Sequence, residues 1–276
     1  MICWVAERAQ TAHHVARVIV ATDDRRVFDA VRHSGYDAVM TRDDHASGTD
    51  RLAEVVESLS DAKIIVNVQG DEPLIASETI DHAIEALVYE QRREEQGARD
   101  KGRSEDEKGD TTAHGSATTV GIVTTWESID SAADVLNPDV VKMVVDDNAY
   151  AVYFSRAPVP FPRDAVRRHG TIAAALENEP ALLKHFRKHT GLYVYRRDLL
   201  LEFTRWPQSA LERLEGLEQL RALEHGVKIK VIEGSAPSIG VDTIEDLERV
   251  RALVKKGDLS LQVTSTRESV NTCGIC

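Results

Sequence analysis

Lys63-Ile-Ile-Val-Asn-Val68 runs without a break into Gln69-Gly-Asp-Glu-Pro73. The first six residues are mostly β-branched and apolar, the pattern of a strand covered on both faces. The next five make a turn. Gly70 permits a sharp backbone bend and Pro73 sets the exit direction. Asp71 is thereby held at the end of a strand, and in open α/β sheets ligands bind beyond the carboxyl ends of the strands. A carboxylate there suits Mg²⁺, which takes one or two acids together with phosphate oxygens and water. An ordinary strand-end turn with solvated acids has the same spelling, so this segment alone does not separate the two.

Working outward, residues 15–22 repeat the pattern as Val-Ala-Arg-Val-Ile-Val-Ala-Thr. Further strands are expected at 118–124, 140–145, 149–154, 191–195 and 227–232. Helical patterns lie between them. Leu52, Val55, Val56 and Leu59 fall on one helix face, as do Ile80, Ala83, Ile84, Leu87 and Val88. Ser209 with Glu212, and Thr243 with Asp246, spell capping boxes that open two further helices. Such alternation predicts an α/β fold with helices on both faces of a sheet. Residues 2–12 read as a helix with no strand before them. Nucleotide-binding α/β folds usually open with a strand and a phosphate loop.

Composition narrows the function. The chain has 276 residues, 42% of them hydrophobic, and a net charge of −12. So acidic a body excludes a general nucleic-acid binder, which needs clustered Lys and Arg. No apolar run approaches the ~20 residues of a membrane-spanning helix, and the first residues do not spell a secretory signal. A soluble cytoplasmic protein is expected. Cys3, Cys273 and Cys276 are too few for a disulfide framework. Cys273-x-x-Cys276 lies in a polar stretch rather than where a strand meets a helix, so it reads as inert. Residues 91–117 are polar and highly charged and are expected to be a disordered insertion. Residues 257–276 are expected to form a loose polar tail.

Other candidates fall on the same rim. Thr22 and Asp23 end the strand at 15–22, where a turn with local side-chain bonds is the plainer reading. Ser47-Gly-Thr-Asp-Arg51 puts hydroxyls and free amides at a helix start, suited to an anion or a polar base edge, though from spacing alone a plain cap is the plainer reading. Arg156 follows strand 149–154 and is suited to grip a carboxylate. His189 precedes strand 191–195, and a lone His is more often structural. Lys142 lies within a strand, where it needs a partner or a ligand. Asp242, just before the capped helix at 243, complements the helix dipole. It gains another role only if the fold brings it beside Asp71.

Together these runs resemble the 3-deoxy-manno-octulosonate (Kdo) cytidylyltransferases, the CMP-Kdo synthetases of Gram-negative envelope synthesis. The matching stretches are Val18-Ile-Val-Ala-Thr-Asp-Asp24, His45-x-Ser-Gly-Thr-Asp-Arg51, Ile65-Val-Asn-Val-Gln-Gly-Asp-Glu-Pro73, Tyr153-Phe-Ser-Arg156 and His189-x-Gly-Leu-Tyr193. Ser209-Ala-Leu-Glu212, Leu217-Glu-Gln-Leu-Arg221 and Gly240-Val-Asp-Thr243 follow. They run in family order from about residue 1 to 253.

The resemblance implies a doubly wound, mostly parallel sheet of the nucleotide-diphospho-sugar transferase type, with a small dimerisation subdomain. It implies that CTP and Kdo give CMP-Kdo and diphosphate for lipopolysaccharide synthesis, with Mg²⁺ as cofactor. Matched residue by residue, Asp71 and Asp242 would hold the metal. Thr22, Asp23, Ser47, Gly48, Thr49 and Arg51 would line the cytidine side. Gln69, Arg156, His189 and Glu212 would line the Kdo side, with Lys142 at the same catalytic site. A homodimer is implied, with neither nucleic acid nor membrane as partner.

The cytidylyltransferase domain is expected over residues 1–256, with the tail at 257–276. Family members begin with a strand and an Arg/Lys loop that grips the triphosphate, and Met1-Ile2 aligns just after that loop. The expectation is therefore an N-terminally truncated domain whose central sheet position is open, with unpaired edges on either side. Two other readings stay open: a catalytically impaired relative acting as a sugar-binding or dimerising partner, and a cytidylyltransferase for another acidic sugar.

Overall fold

The apolar runs become strands, and their alternation divides the core. In the computed structural model, which describes residues 1–104, 119–241, 243–255 and 272–275, β1 is Arg17–Thr22 and β3 is Ile64–Val68. Val18 and Val20 face one side of the sheet with Ile64, Val66 and Val68. Ile19 and Ile65 face the other. On the first side pack α1 (Ile2–Thr11) and α4 (Ser77–Ser104), through Val5, Ala9, Ile80, Ile84 and Leu87. On the second packs α3 (Gly48–Glu57), through Leu52, Val55 and Val56. Period-2 strands and 3.6-period helices thus meet as expected.

The remaining strands are β2 (Asp37–Met40), β4 (Val120–Ser128), β5 (Lys142–Val145), β6 (Ala151–Ser155), β7 (Arg187–Arg196), β8 (Lys228–Glu233) and β9 (Thr272–Ile275). The sheet order is β2-β1-β9-β3-β7-β4-β8, with the β5–β6 hairpin attached to β7 through β5. Along the main path β7 alone runs against its neighbours. β2 is a short edge strand that its sequence did not announce, because an edge need not be apolar.

Two expectations are overturned. The central sheet position is filled: β9 lies parallel between β1 and β3, with Cys273 opposite Arg17 on one side and Ile65 on the other. Residues 272–275 are therefore a central strand and not part of a loose tail. Their backbone groups complete two ladders that would otherwise stand open, which outweighs the weak strand preference of Thr-Cys-Gly-Ile. The second concerns the insertion. Residues 91–104 continue α4 as helix. They are rich in Arg, Glu and Gln, all good helix formers, and propagating a helix already nucleated costs little. The Val120 amide donates to Glu94 Oε1 at 2.6 Å. The rest of that expected insertion, 105–117, and the tail at 257–271 lie outside the described residues.

The chain also builds a small separate core. It comprises α5 (Ala132–Leu136), α7 (Ile172–Asn178) and a 3-10 turn at Pro180–His185, with α6 (Arg163–His169) set against α7. Ile129, Val135, Leu176 and Phe186 are its buried centre. The other helices are α2 (Arg25–His33), α8 (Arg197–Phe203), α9 (Ala210–Glu215), α10 (Gln219–Glu224) and α11 (Ile244–Lys255).

Candidate active site

The carboxyl ends of β1 and β3, the start of α3 and the early part of β7 converge on one rim. Tyr193 on β7 pairs with Asn67, and Leu192 with Val68, so His189 and Gly191 come level with the turn after β3. The turn between α9 and α10 closes the far side. The result is a pocket of about 280 Å³ whose walls include Thr49, Gln69, His189, Tyr193, Gly216 and Glu218. A second pocket of about 140 Å³ adjoins it, shares Gly48 and Gln69, and reaches Arg51 and Gly70.

On the α3 side, Ser47 caps the helix by accepting from the Asp50 amide at 3.2 Å. A Cβ added at Gly48 would meet nothing within 4 Å, so the helix start is open to the pocket. Arg51 donates to Asp23 Oδ2 at 2.6 Å and to Thr41 Oγ1. Its guanidinium holds the Asp23 carboxyl below the usual range. The Thr22 hydroxyl accepts from the Asp24 amide. The expected cytidine-side residues therefore do come together, around a helix N-terminus with free amides.

On the β7 side His189 is fixed in one tautomer. Thr124 Oγ1 donates its single proton to the Leu192 carbonyl at 2.8 Å, so at 2.9 Å from His189 Nε2 it must accept. Nε2 thus carries the hydrogen. Burial pushes the His189 pKa down to about 3, so the ring is neutral at physiological pH and Nδ1 is an acceptor. Gln69 is pressed into place by Gly191, where an added Cβ would lie 2.6 Å from Gln69 Cγ.

Arg156 reaches the pocket edge at Gly216, where its Nη2 would lie 3.9 Å from an added Cβ. Its Nε donates to the Glu215 carbonyl at 2.7 Å and its Nη1 to the Pro138 carbonyl at 2.9 Å. Lys142 is fully buried, and its ammonium donates to the carbonyls of Asn137 and Val140 at 2.7 and 2.6 Å. Burial lowers its pKa. Lys142 and Arg156 therefore clasp the same loop, 137–140, from two sides, and Lys142 is not itself on the pocket wall.

Glu212 also stands apart. Its Oε2 accepts from the Ser209 amide at 3.1 Å, completing the capping box of α9. Both carboxylate oxygens accept from Arg221, Oε2 at 2.8 Å. The acid that faces the pocket is Glu218, opposite the hydroxyls of Thr49 and Ser47, with its pKa raised by burial. Sequence reasoning passed over Glu218. The signal was present in Leu217-Glu-Gln-Leu-Arg221, directly after the left-handed Gly216 that ends α9 (φ 64°).

Asp71 sits in the turn after β3. Its carbonyl accepts from the Val241 amide at 2.9 Å, which brings the residue before Asp242 onto the Asp71 backbone. Asp242 itself lies outside the described residues. Thr243 and Asp246 cap α11 reciprocally: the Thr243 amide donates to Asp246 Oδ2 and the Asp246 amide to Thr243 Oγ1, each at 3.1 Å. Asp71 and the chain entering α11 thus lie together at the rim, although they are far apart in sequence. Asp71 offers a hard carboxylate at this rim, the donor type that magnesium takes.

A family model described as cytidylyltransferase matches residues 1–229. The 3-deoxy-manno-octulosonate cytidylyltransferase of Trichlorobacter lovleyi is 44% identical over 257 residues, covering 93% of this chain and 89% of that one. The enzyme of the same name from Geobacter sulfurreducens is 45% identical over 255 residues, covering 92% and 89%. A solved structure of CMP:2-keto-3-deoxy-manno-octonic acid synthetase in complex with CTP aligns with a TM-score of 0.71 at 37% identity. It covers 94% of this chain and 88% of that one. A glucose-1-phosphate thymidylyltransferase from Bacillus anthracis shares the fold at 13% identity, TM-score 0.51.

Proposed function

The chain belongs to the cytidylyltransferase family, and from that premise we propose that it activates Kdo, converting CTP and Kdo to CMP-Kdo and diphosphate. The observation that carries this reading is the contact of the Val241 amide with the Asp71 carbonyl. It joins the two acid-bearing segments at the rim, next to a pocket with a neutral histidine and an anchored glutamine.

The residues divide the work. Ser47, Gly48 and Thr49 offer the cytidine nucleotide the open amides of the α3 N-terminus. Arg51 with Asp23, and Thr22 behind them, hold that edge in register. Gln69 and His189 orient the sugar, His189 accepting a hydroxyl hydrogen at Nδ1. Arg156 meets the sugar carboxylate, the group a guanidinium grips best. Glu218 takes the polar sugar contact that the resemblance implied for Glu212, and Lys142 supports the site through loop 137–140. Asp71 and Asp242 would hold Mg²⁺, which when bound neutralises charge on the reacting phosphates. Positioning and charge neutralisation are what such a displacement needs, since the hydroxyl attacks phosphorus directly.

The small core around Val135 and Phe186 is our candidate for the dimerisation subdomain of a homodimer. No described helix is long and apolar enough to cross a membrane. We assign the reaction to the cytoplasm, where its nucleotide substrate is supplied. The deciding experiment is diphosphate release by the purified chain with CTP and Mg²⁺, with and without Kdo. Kdo-dependent release that Asp71→Asn abolishes supports the reading. Equal release with sialic acid in place of Kdo, or none with any acidic sugar, overturns it.

A further inference from the structure

Residues 234–241, between β8 and α11, have no regular secondary structure, yet the segment is fastened along its length. The Gly234 amide donates to the Trp126 carbonyl and the Ser235 amide to Thr79 Oγ1, both at 2.9 Å. The Ser238 amide donates to Glu127 Oε1 at 2.6 Å, and the Ser238 hydroxyl donates to Glu72 Oε2. Val241 then reaches the Asp71 carbonyl.

Ser238 is the central fastening, and it is buried, 6% exposed. Its two acceptors come from different parts of the sheet. Glu72 lies in the turn after β3, adjacent to Asp71. Glu127 lies near the end of β4, with Lys188 Nζ of β7 at 3.7 Å. Burial raises the pKa of both carboxylates, the expected response of acids taken out of water near one another. Two such groups are tolerated side by side when donors stand between them. Ser238 supplies one donor to each: a backbone amide that any residue but proline could offer, and a hydroxyl that few could. The Gly191 amide also faces Glu72. The carboxylate that receives the Ser238 hydroxyl thus borders the pocket wall carrying Gln69 and His189.

We propose that Ser238 is a positioning residue for the reaction: by bridging Glu72 and Glu127 it anchors residues 234–241 so that the Val241 amide docks on Asp71. The consequence for metal binding rests on the function proposed above. Asp71 carries the metal-side carboxylate, so the hydrogen bond from the Val241 amide ties the anchored loop directly to that residue. Ser238 touches neither substrate nor metal; it acts through the loop.

The test uses the full chain and its Ser238→Ala, Ser238→Thr and Asp71→Asn variants. Three quantities are read: site-resolved hydrogen exchange of the Val241 amide, Mn²⁺ affinity without substrates, and the thermal unfolding midpoint. In Ser238→Ala the Val241 amide exchanges about tenfold faster or more, and the Mn²⁺ dissociation constant rises about tenfold, the scale of one hydrogen bond to a charged group. The midpoint falls by only a few degrees, the scale of one hydrogen bond in a chain of this size, and Ser238→Thr restores both losses. Unchanged Val241 exchange in Ser238→Ala overturns the proposal. Faster exchange with Mn²⁺ affinity indifferent to Ser238→Ala and Asp71→Asn alike upholds the anchor and removes the metal reading instead. Should Ser238→Ala not fold, Ser238→Cys, a weaker donor of similar size, is read in its place: faster Val241 exchange supports the anchor and unchanged exchange overturns it.

Discussion

A side chain at Gly191 has nowhere to go. Its Cβ would stand 2.6 Å from Gln69 Cγ and 3.6 Å from Glu72 Oε1, so any substitution must displace Gln69 from the pocket. Gly191→Ala is expected to lower kcat/KM about tenfold or more, since small misplacements of a positioning group are costly. The unfolding midpoint should shift far less; steady-state kinetics beside a thermal melt will show it. Glu218 makes a prediction of opposite kind. Burial raises its folded pKa above the ordinary glutamate value, so the folded chain holds the proton more tightly than the unfolded chain does. Its contribution to stability is fully present below the unfolded pKa of 4.5 and is lost as pH rises through the folded pKa. Glu218→Gln should therefore raise stability at about pH 8 relative to the parent, with the advantage shrinking as the pH falls toward the unfolded pKa, while kcat/KM falls. Urea titrations across that pH range measure the first effect. A variant less stable than the parent at the alkaline end would show that the Glu218 charge is compensated.

At the scale of elements, capping signals were fully legible. Ser209 and Glu212 form both bonds of a capping box, and Thr243 with Asp246 does the same, because such bonds close within three residues and need no help from the fold. The second use of Glu212 was not legible. Arg221, nine residues on, is 4% exposed and takes both of its oxygens while its guanidinium lies 4.5 Å from the Phe203 ring centroid. Removing one partner of a buried pair leaves the other uncompensated. Glu212→Ala is thus expected to cost about 3–5 kcal/mol, read as a shift of the urea midpoint at constant m. A loss under about 1 kcal/mol, the range of an exposed pair, with a large rise in KM for Kdo would return Glu212 to the sugar side. The extension of α4 to Ser104 has a related cause. A polar composition argued for disorder, but Arg, Glu and Gln also propagate a helix that Ile80, Ile84 and Leu87 have already anchored.

Across the whole molecule, the sheet is closed by residues from its far end. β9 pairs with β1 and β3 at once, and Cys273 joins the core on the Ile19 and Ile65 side. Burial pushes the Cys273 thiol from 9.0 up to about 11, so its thiolate fraction near neutral pH falls about a hundredfold. In a Cys3→Ser, Cys276→Ser background, Cys273 should react with a thiol reagent only as fast as the molecule unfolds, tracking denaturant concentration. Fast labelling in buffer would mean that β9 is undocked. A chain ending at residue 255 should lose cooperative unfolding, because β1 and β3 then face each other across an unfilled gap in the sheet. Circular dichroism against temperature distinguishes that from a tail that can be spared.

The residues by themselves determined what short-range physics encodes. β-branched runs covered on both faces became β1 and β3, helical periodicity became α3 and α4, and Gln69-Gly-Asp-Glu-Pro73 became the turn at the rim. Only the tertiary structure decided which distant groups meet. It set Val241 on Asp71, Ser238 between Glu72 and Glu127, Glu212 on Arg221 rather than the pocket, and Thr-Cys-Gly-Ile in the middle of the sheet. In each case the favourable energy lies in a partner supplied by a remote part of the chain, whether an unfilled ladder, a buried charge or an unsatisfied carbonyl. A residue's own preferences carry no record of such a partner.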